Sequence, residues 1–137
     1  MEREQLNFFI QKAPTGELAQ LRQQIESLAE VQLIQQPTPQ TLLVPVKDPI
    51  NGGEFLGGEV LVTSAIARVD GNNGWAMVMD DNPELATTAA IVDGAFAAEI
   101  CIDAIMRIAE MGSQTFNREK AATNQQIAGT KVSFDLL

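Results

Sequence analysis

Glu59-Val60-Leu61-Val62-Thr63-Ser64-Ala65-Ile66-Ala67-Arg68-Val69, then Asp70-Gly71-Asn72-Asn73-Gly74 and Trp75-Ala76-Met77-Val78-Met79-Asp80, is the stretch on which the fold turns. Two runs rich in β-branched and apolar residues flank a turn of Gly and Asn, residues that accept the positive φ of a tight reversal. The reading is an antiparallel hairpin. Val60, Val62 and Ile66 line one side of its first strand; Leu61, Ala65, Ala67 and Val69 line the other. A sheet with one wet face alternates apolar with polar more cleanly than this. Both faces of the hairpin are therefore expected to be covered.

Asn82-Pro83-Glu84 follows as a helix start: a capping side chain, a proline whose φ is already helical, and a carboxylate that favours the positive end of the dipole. The helix is expected to run for about 28 residues to Gly112, a natural left-handed C-terminal position. Leu85, Ala89, Val92, Phe96 and Ile100 form one apolar stripe, and Ile91, Ala95, Ala98, Ile102 and Ile105 a second. Glu99, Asp103, Arg107 and Glu110 make the one polar stripe. A helix apolar on most sides is central, within the domain or between subunits. Its small residues, Ala86 to Ala98 with Gly94, permit close approach of other backbone.

Before the hairpin, residues 2 to 13 and Glu17 to Ala29 carry apolar residues at helical spacing, with Thr15 as the cap of the second segment. Such helices pack on their own domain more often than they dock a partner. Val31 to Gln36 and Thr41 to Val46 read as short strands joined through Pro37-Thr38-Pro39-Gln40, completing a four-stranded meander. Pro45 places its strand at an edge or a bulge. Glycines 52, 53, 57 and 58 lead into a strand with Glu54 and Glu59 beside them, which suits a turn or bulge better than a phosphate cradle. Past Gly112, a helix over Thr115 to Ala128 and a terminal strand over Lys131 to Leu137 are expected, with Val132, Phe134 and Leu136 on one face of that strand.

At 137 residues and 45% apolar content the chain suits one domain with a real core. No apolar run reaches the roughly 20 residues of a bilayer span. Met1-Glu2-Arg3-Glu4 is not followed by the apolar core of a leader, so a cytoplasmic location is the expectation. Nine basic residues against eighteen acidic give a net charge of −9. That disfavours a nucleic-acid binder, which needs a basic face to displace counterions, and makes a polyphosphate ligand easier to place on a partner.

Histidine and tyrosine are absent, which removes histidine triads and the commonest acid–base group near neutral pH. Cys101 lies between Ile100 and Ile102 with Glu99 and Asp103 nearby, surroundings that oppose a thiolate. Asp80 and Asp81 fit a strand-to-helix junction. Asp93 is the odd residue: an acid inside an apolar helix needs a partner, either Arg68 or a neighbouring chain. It is the leading candidate functional carboxylate, ahead of Asp80 and Asp81, which could also pair as acid and base or hold Mg²⁺. No catalytic, cofactor-binding or metal-ligating residue is assigned.

Several of these segments resemble, in order, the PhnG family, the G subunit of bacterial carbon–phosphorus lyase. They are Leu56-Gly57-Gly58-Glu59-Val60-Leu61-Val62-Thr63, Arg68-Val69-Asp70-Gly71, Gly74-Trp75-Ala76-Met77-Val78-Met79, Asp81-Asn82-Pro83-Glu84-Leu85-Ala86, Ala90-Ile91-Val92-Asp93 and Thr130-Lys131-Val132-Ser133-Phe134. Ala13-Pro14 with Glu17-Leu18-Ala19 is similar to the family's N-terminal turn. Asp80 stands where members often have Gly, and Trp75 where they often have Tyr. The resemblance implies a member of a core complex with H, I and J subunits. With the L protein, that system supports displacement of adenine from ATP by methylphosphonate, giving α-D-ribose 1-methylphosphonate 5-triphosphate. It assigns nucleosidase chemistry to the I subunit, and radical C–P cleavage at an iron–sulfur cluster to the J subunit. ATP and methylphosphonate are then substrates of the complex, and no cofactor is expected on this chain.

The reading is one α+β domain, an accessory subunit probed best by its contacts. Trp75, Met77, Phe96, Val132, Phe134 and Leu136 are the expected interface residues. A homo-oligomeric binding or structural protein is the alternative, and a small carboxylate enzyme using Asp80, Asp81 or Asp93 is a third.

Overall fold

The computed structural model describes residues 2–47 and 53–135. Two helices, α1 (Arg3–Ile10) and α2 (Thr15–Leu28), precede three strands, β1 (Val31–Lys47), β2 (Glu54–Val69) and β3 (Asn72–Met79). Helices α3 (Pro83–Ala97) and α4 (Ile102–Asp135) follow. The strands form an antiparallel meander in the order β1-β2-β3, so the fold is α+β. No helix among the described residues is long and apolar enough to cross a membrane.

The hairpin forms as its sequence requires. Asp70 and Gly71 take positive φ in the reversal, and Val69 pairs with Asn72 through to Val62 with Met79. Because side chains alternate, Thr63, Ala65, Ala67 and Val69 of β2 share a face with Gly74, Ala76 and Val78 of β3, and all seven are buried. Helix α3 packs on that face, and α1, α2 and α4 pack around α3. Every residue from Ala86 to Ala95 is buried. Ile91 and Val92, at 1% exposure, each contribute about 1.5–3 kcal/mol of apolar burial. The central helix is a finding that the two apolar stripes foretold.

Several expectations change. The meander has three strands, not four, because Val31 to Lys47 is one continuous strand. Its register shifts between Leu33 and Gln35 and between Gln35 and Thr38, bulges that absorb Pro37 and Pro39 without a turn. The loop expected over residues 47–53 lies mostly outside the described residues.

Second, the long helix is broken. Ile100 N–H donates to Ala95 O and Glu99 N–H to Phe96 O, with Glu99 at φ 60: a Schellman closure with glutamate in the left-handed position. Cys101 also has positive φ, and its carbonyl accepts from Ile105 to open α4. The chain thereby reverses so that α4 can pack on α1. Third, Gly112 sits inside α4 rather than ending a helix. A Cβ there would overlap the Phe9 carbonyl, so the glycine serves a close crossing of α1 and α4.

Fourth, the terminal strand is not formed: Lys131 to Asp135 continue α4, while Leu136 and Leu137 lie outside the described residues. A helix satisfies its own backbone groups, whereas a terminal strand needs a neighbouring ladder. Gly129 within the helix costs only about 1 kcal/mol. Thr15 likewise begins α2 as its first residue, with Pro14 in the capping position and no side-chain cap.

Candidate functional site

The crossing of α3 over β3 is closest at Gly74 and Gly94. A Cβ on Gly74 would overlap the Ala90 carbonyl oxygen and the Gly94 backbone. This contact brings Asp93, one residue from the crossing point, against the start of β3. Its carboxylate is buried, at 4% exposure, and accepts three hydrogen bonds. Arg3 donates from Nε to Oδ1 at 3.0 Å and from Nη2 to Oδ2 at 2.8 Å, and the Trp75 backbone N–H donates to Oδ2 at 2.9 Å. Arg3 Nη2 also reaches the Asn73 carbonyl at 3.2 Å. The hydrogen bond to Asp93 raises the Arg3 guanidinium above its ordinary value; partial desolvation opposes this, and the Asp93 charge adds to the rise.

This bidentate pair joins α1, β3 and α3 across 90 positions of sequence. It corrects the expected partner: Arg68 instead donates to Asn73 Oδ1 at 3.1 Å. Arg3 went unnoticed because a single cation near the chain start carries no periodic signal. With both oxygens held by donors from α1 and β3, Asp93 clamps the crossing of α3 over β3.

Above this clamp lies the other face of the sheet. Val62 pairs with Met79, Ser64 with Met77, Ile66 with Trp75 and Arg68 with Asn73, all on the side away from α3. No helix among the described residues packs there. Trp75 is 50% exposed and Met79 61%; Met77 and Ile66 are half-buried. Gln35 and Gln40 reach from β1 to the Ser64 hydroxyl, at 3.3 and 3.0 Å, and close part of the face. The remainder is an apolar strip of Ile66, Trp75, Met77 and Met79.

The structure therefore brings two of the six expected interface residues together, Trp75 and Met77. Phe96 is elsewhere, half-buried at the C-terminal end of α3 against the core. Val132 and Phe134 are on the far end of α4, with side chains outside the described residues, as is Leu136. Met79, the most exposed member of the strip, is absent from the expected interface set; its place two residues from Met77 on a strand is the signal that would add it.

Asp80 and Asp81 are exposed at the junction after β3. There Thr63 Oγ1 donates to the Asp80 carbonyl at 2.6 Å and accepts from Asn82 N–H at 3.0 Å, while Asn82 Oδ1 caps Leu85 N–H. An open cleft of about 810 Å³ runs between α2 and the start of α3, lined by Arg22, Glu26, Asn82, Glu84 and Thr88 among others. Its cation is already engaged, Arg22 Nε donating to Glu26 at 2.8 Å and Nη1 to Thr88 at 3.3 Å.

Fold and site together define a small α+β domain with a buried clamp under a sheet whose outer face carries an apolar strip that no helix among the described residues covers. Compared with known families, residues 1–137 match the model of the phosphonate metabolism protein PhnG. The chain belongs to the PhnG family, over its whole length. A comparison with curated proteins finds no match.

Proposed function

We propose that this chain is a non-catalytic, accessory subunit of the carbon–phosphorus lyase core complex. It assembles in the cytoplasm with the H, I and J subunits and, for the ribosylation step, the L protein. In that assembly it supports displacement of adenine from ATP by methylphosphonate, and the two substrates are held by other subunits. The carrying observation is the exposed strip of Ile66, Trp75, Met77 and Met79, on which no helix among the described residues packs. Aromatic and methionine side chains at the centre of a patch are the composition of docking surfaces. Membership of a phosphonate metabolism family supports the pathway, and the net charge of −9 supports placing the anionic substrates on a partner.

The single tryptophan makes the test direct. Co-expression with the H, I and J subunits should yield one complex by native mass spectrometry, with Trp75 emission shifted to the blue relative to the isolated chain. Recovery of the chain only with copies of itself would move the reading to a homo-oligomeric binding or structural protein. Turnover of a phosphate or phosphonate ester by the pure chain would overturn its accessory role.

A further inference from the structure

The two halves of β2 differ in their neighbours. From Val62 to Val69 the strand lies between β1 and β3. From Glu54 to Leu61 it pairs with β1 alone, Lys47 with Glu54 through to Thr41 with Leu61, and forms a two-stranded arm. Asp80 N–H donates to Leu61 O at 2.8 Å as the last bond on the β3 side. Then Asp80, at φ 67, turns the chain out of the ladder, held by Thr63. Backbone groups alternate in direction along a strand, so Glu59, two residues before Leu61, points its N–H and C=O at the same open side. Among the described residues no strand meets them.

The arm is also apolar on both faces. Leu43 and Leu61, 57% and 43% exposed, lie on the α3 side, and Leu42, 38% exposed, lies with Val60 on the other. An isolated two-stranded ribbon is marginal in water, and an open apolar edge is a template for strand pairing. Its charge is specific too. The residue across from Glu59 on β1 is Leu43, and among the described residues Glu59 makes no ion pair.

We propose that the open edge of β2 around Glu59 receives an extended strand from a foreign subunit, which continues the line of β3 and sets a Lys or Arg opposite Glu59. A helix could cover the leucines but would leave the edge N–H and C=O groups unpaired. A second copy would bring Glu59 and a chain of net charge −9 against their like. This deepens the subunit reading and rests on it. The partner is recognised as an apolar strand carrying a basic residue.

Amide hydrogen exchange on the isolated chain and on the assembly co-expressed with the H, I and J subunits tests the idea. The Glu59 amide should slow by about tenfold or more on assembly, as a new ladder bond requires. Glu59→Pro removes that N–H while leaving the β1 ladder its own bonds, and should weaken assembly by about tenfold. Glu59→Gln keeps the N–H and should weaken it only about threefold. Equal exchange of Glu59 in free chain and assembly overturns strand addition and leaves the subunit reading standing. Failure to assemble with those subunits overturns both. Concentration-dependent protection in the pure chain overturns the foreign partner in favour of a second copy. Should Glu59→Pro fail to fold, exchange in the unmodified chain decides.

Discussion

The two faces of one sheet both carry apolar residues at the centre, and differ there in the size of those residues. Toward α3 stand Ala65, Ala67, Gly74 and Ala76, so small that the helix backbone almost touches β3. On the opposite side the same strands carry Ile66, Trp75, Met77 and Met79, and no helix among the described residues packs on them. Small residues let a helix come close and gain dispersion contacts from both backbones. Large residues fill space, and where no helix among the described residues packs on them they leave an exposed apolar strip. A face covered by its own helix and a face without one can thus both carry apolar residues and differ in their volume.

The comparison breaks first at the inner face. Gly74→Val would drive side-chain atoms into the Ala90 carbonyl and the Gly94 backbone. A loss of about 3 kcal/mol or more, seen as a lower urea midpoint, is expected. Tolerance of Val would show that the crossing is not close-packed.

Arg3→Ala comes next. It strips the buried Asp93 carboxylate of two of its three donors. Because Arg3 is itself half exposed, about 2–3 kcal/mol is expected, below the roughly 3–5 kcal/mol of a fully buried pair. Asp93→Asn should cost less, since the amide keeps an acceptor for Arg3.

A smaller effect of opposite sign is expected at the α3–α4 break. Glu99→Gly removes the strain of a left-handed glutamate and should raise the thermal midpoint, by a gain of about 0.5–1 kcal/mol. The outer face should give the smallest change in stability. Trp75→Ser with Met79→Ser is expected to alter the isolated chain by about 0.5 kcal/mol or less while abolishing recovery of the complex. Large destabilisation instead would mean that this face is part of the core.

Much of the fold was legible because it rests on local chemistry. Asp70-Gly71 announced the hairpin turn, although Asn72 to Gly74, read with it, belong to β3; Asn82-Pro83 announced α3, and its two apolar stripes announced a helix buried on most sides. The break at Glu99 was not legible, since neither Glu99 nor Cys101 is a residue that ends helices. The need for α4 to fold back on α1 imposed their positive φ. Gly112 misled for the complementary reason, as glycine serves close packing as well as helix ends. The terminal alternation of Val132, Phe134 and Leu136 has a strand period, yet Val132 and Phe134 lie within α4.

Of the site, the sequence by itself determined that Asp93 needs a partner and that Trp75 and Met77 share a strand face. Those follow from desolvation and from the two-residue repeat. Tertiary structure alone decided that the partner is Arg3, that α3 takes the small-residue face, and that β2 outruns β3. Each depends on which distant segments meet. Pairing over 90 residues is fixed by the sum of many contacts, none of which leaves its own mark on the local pattern.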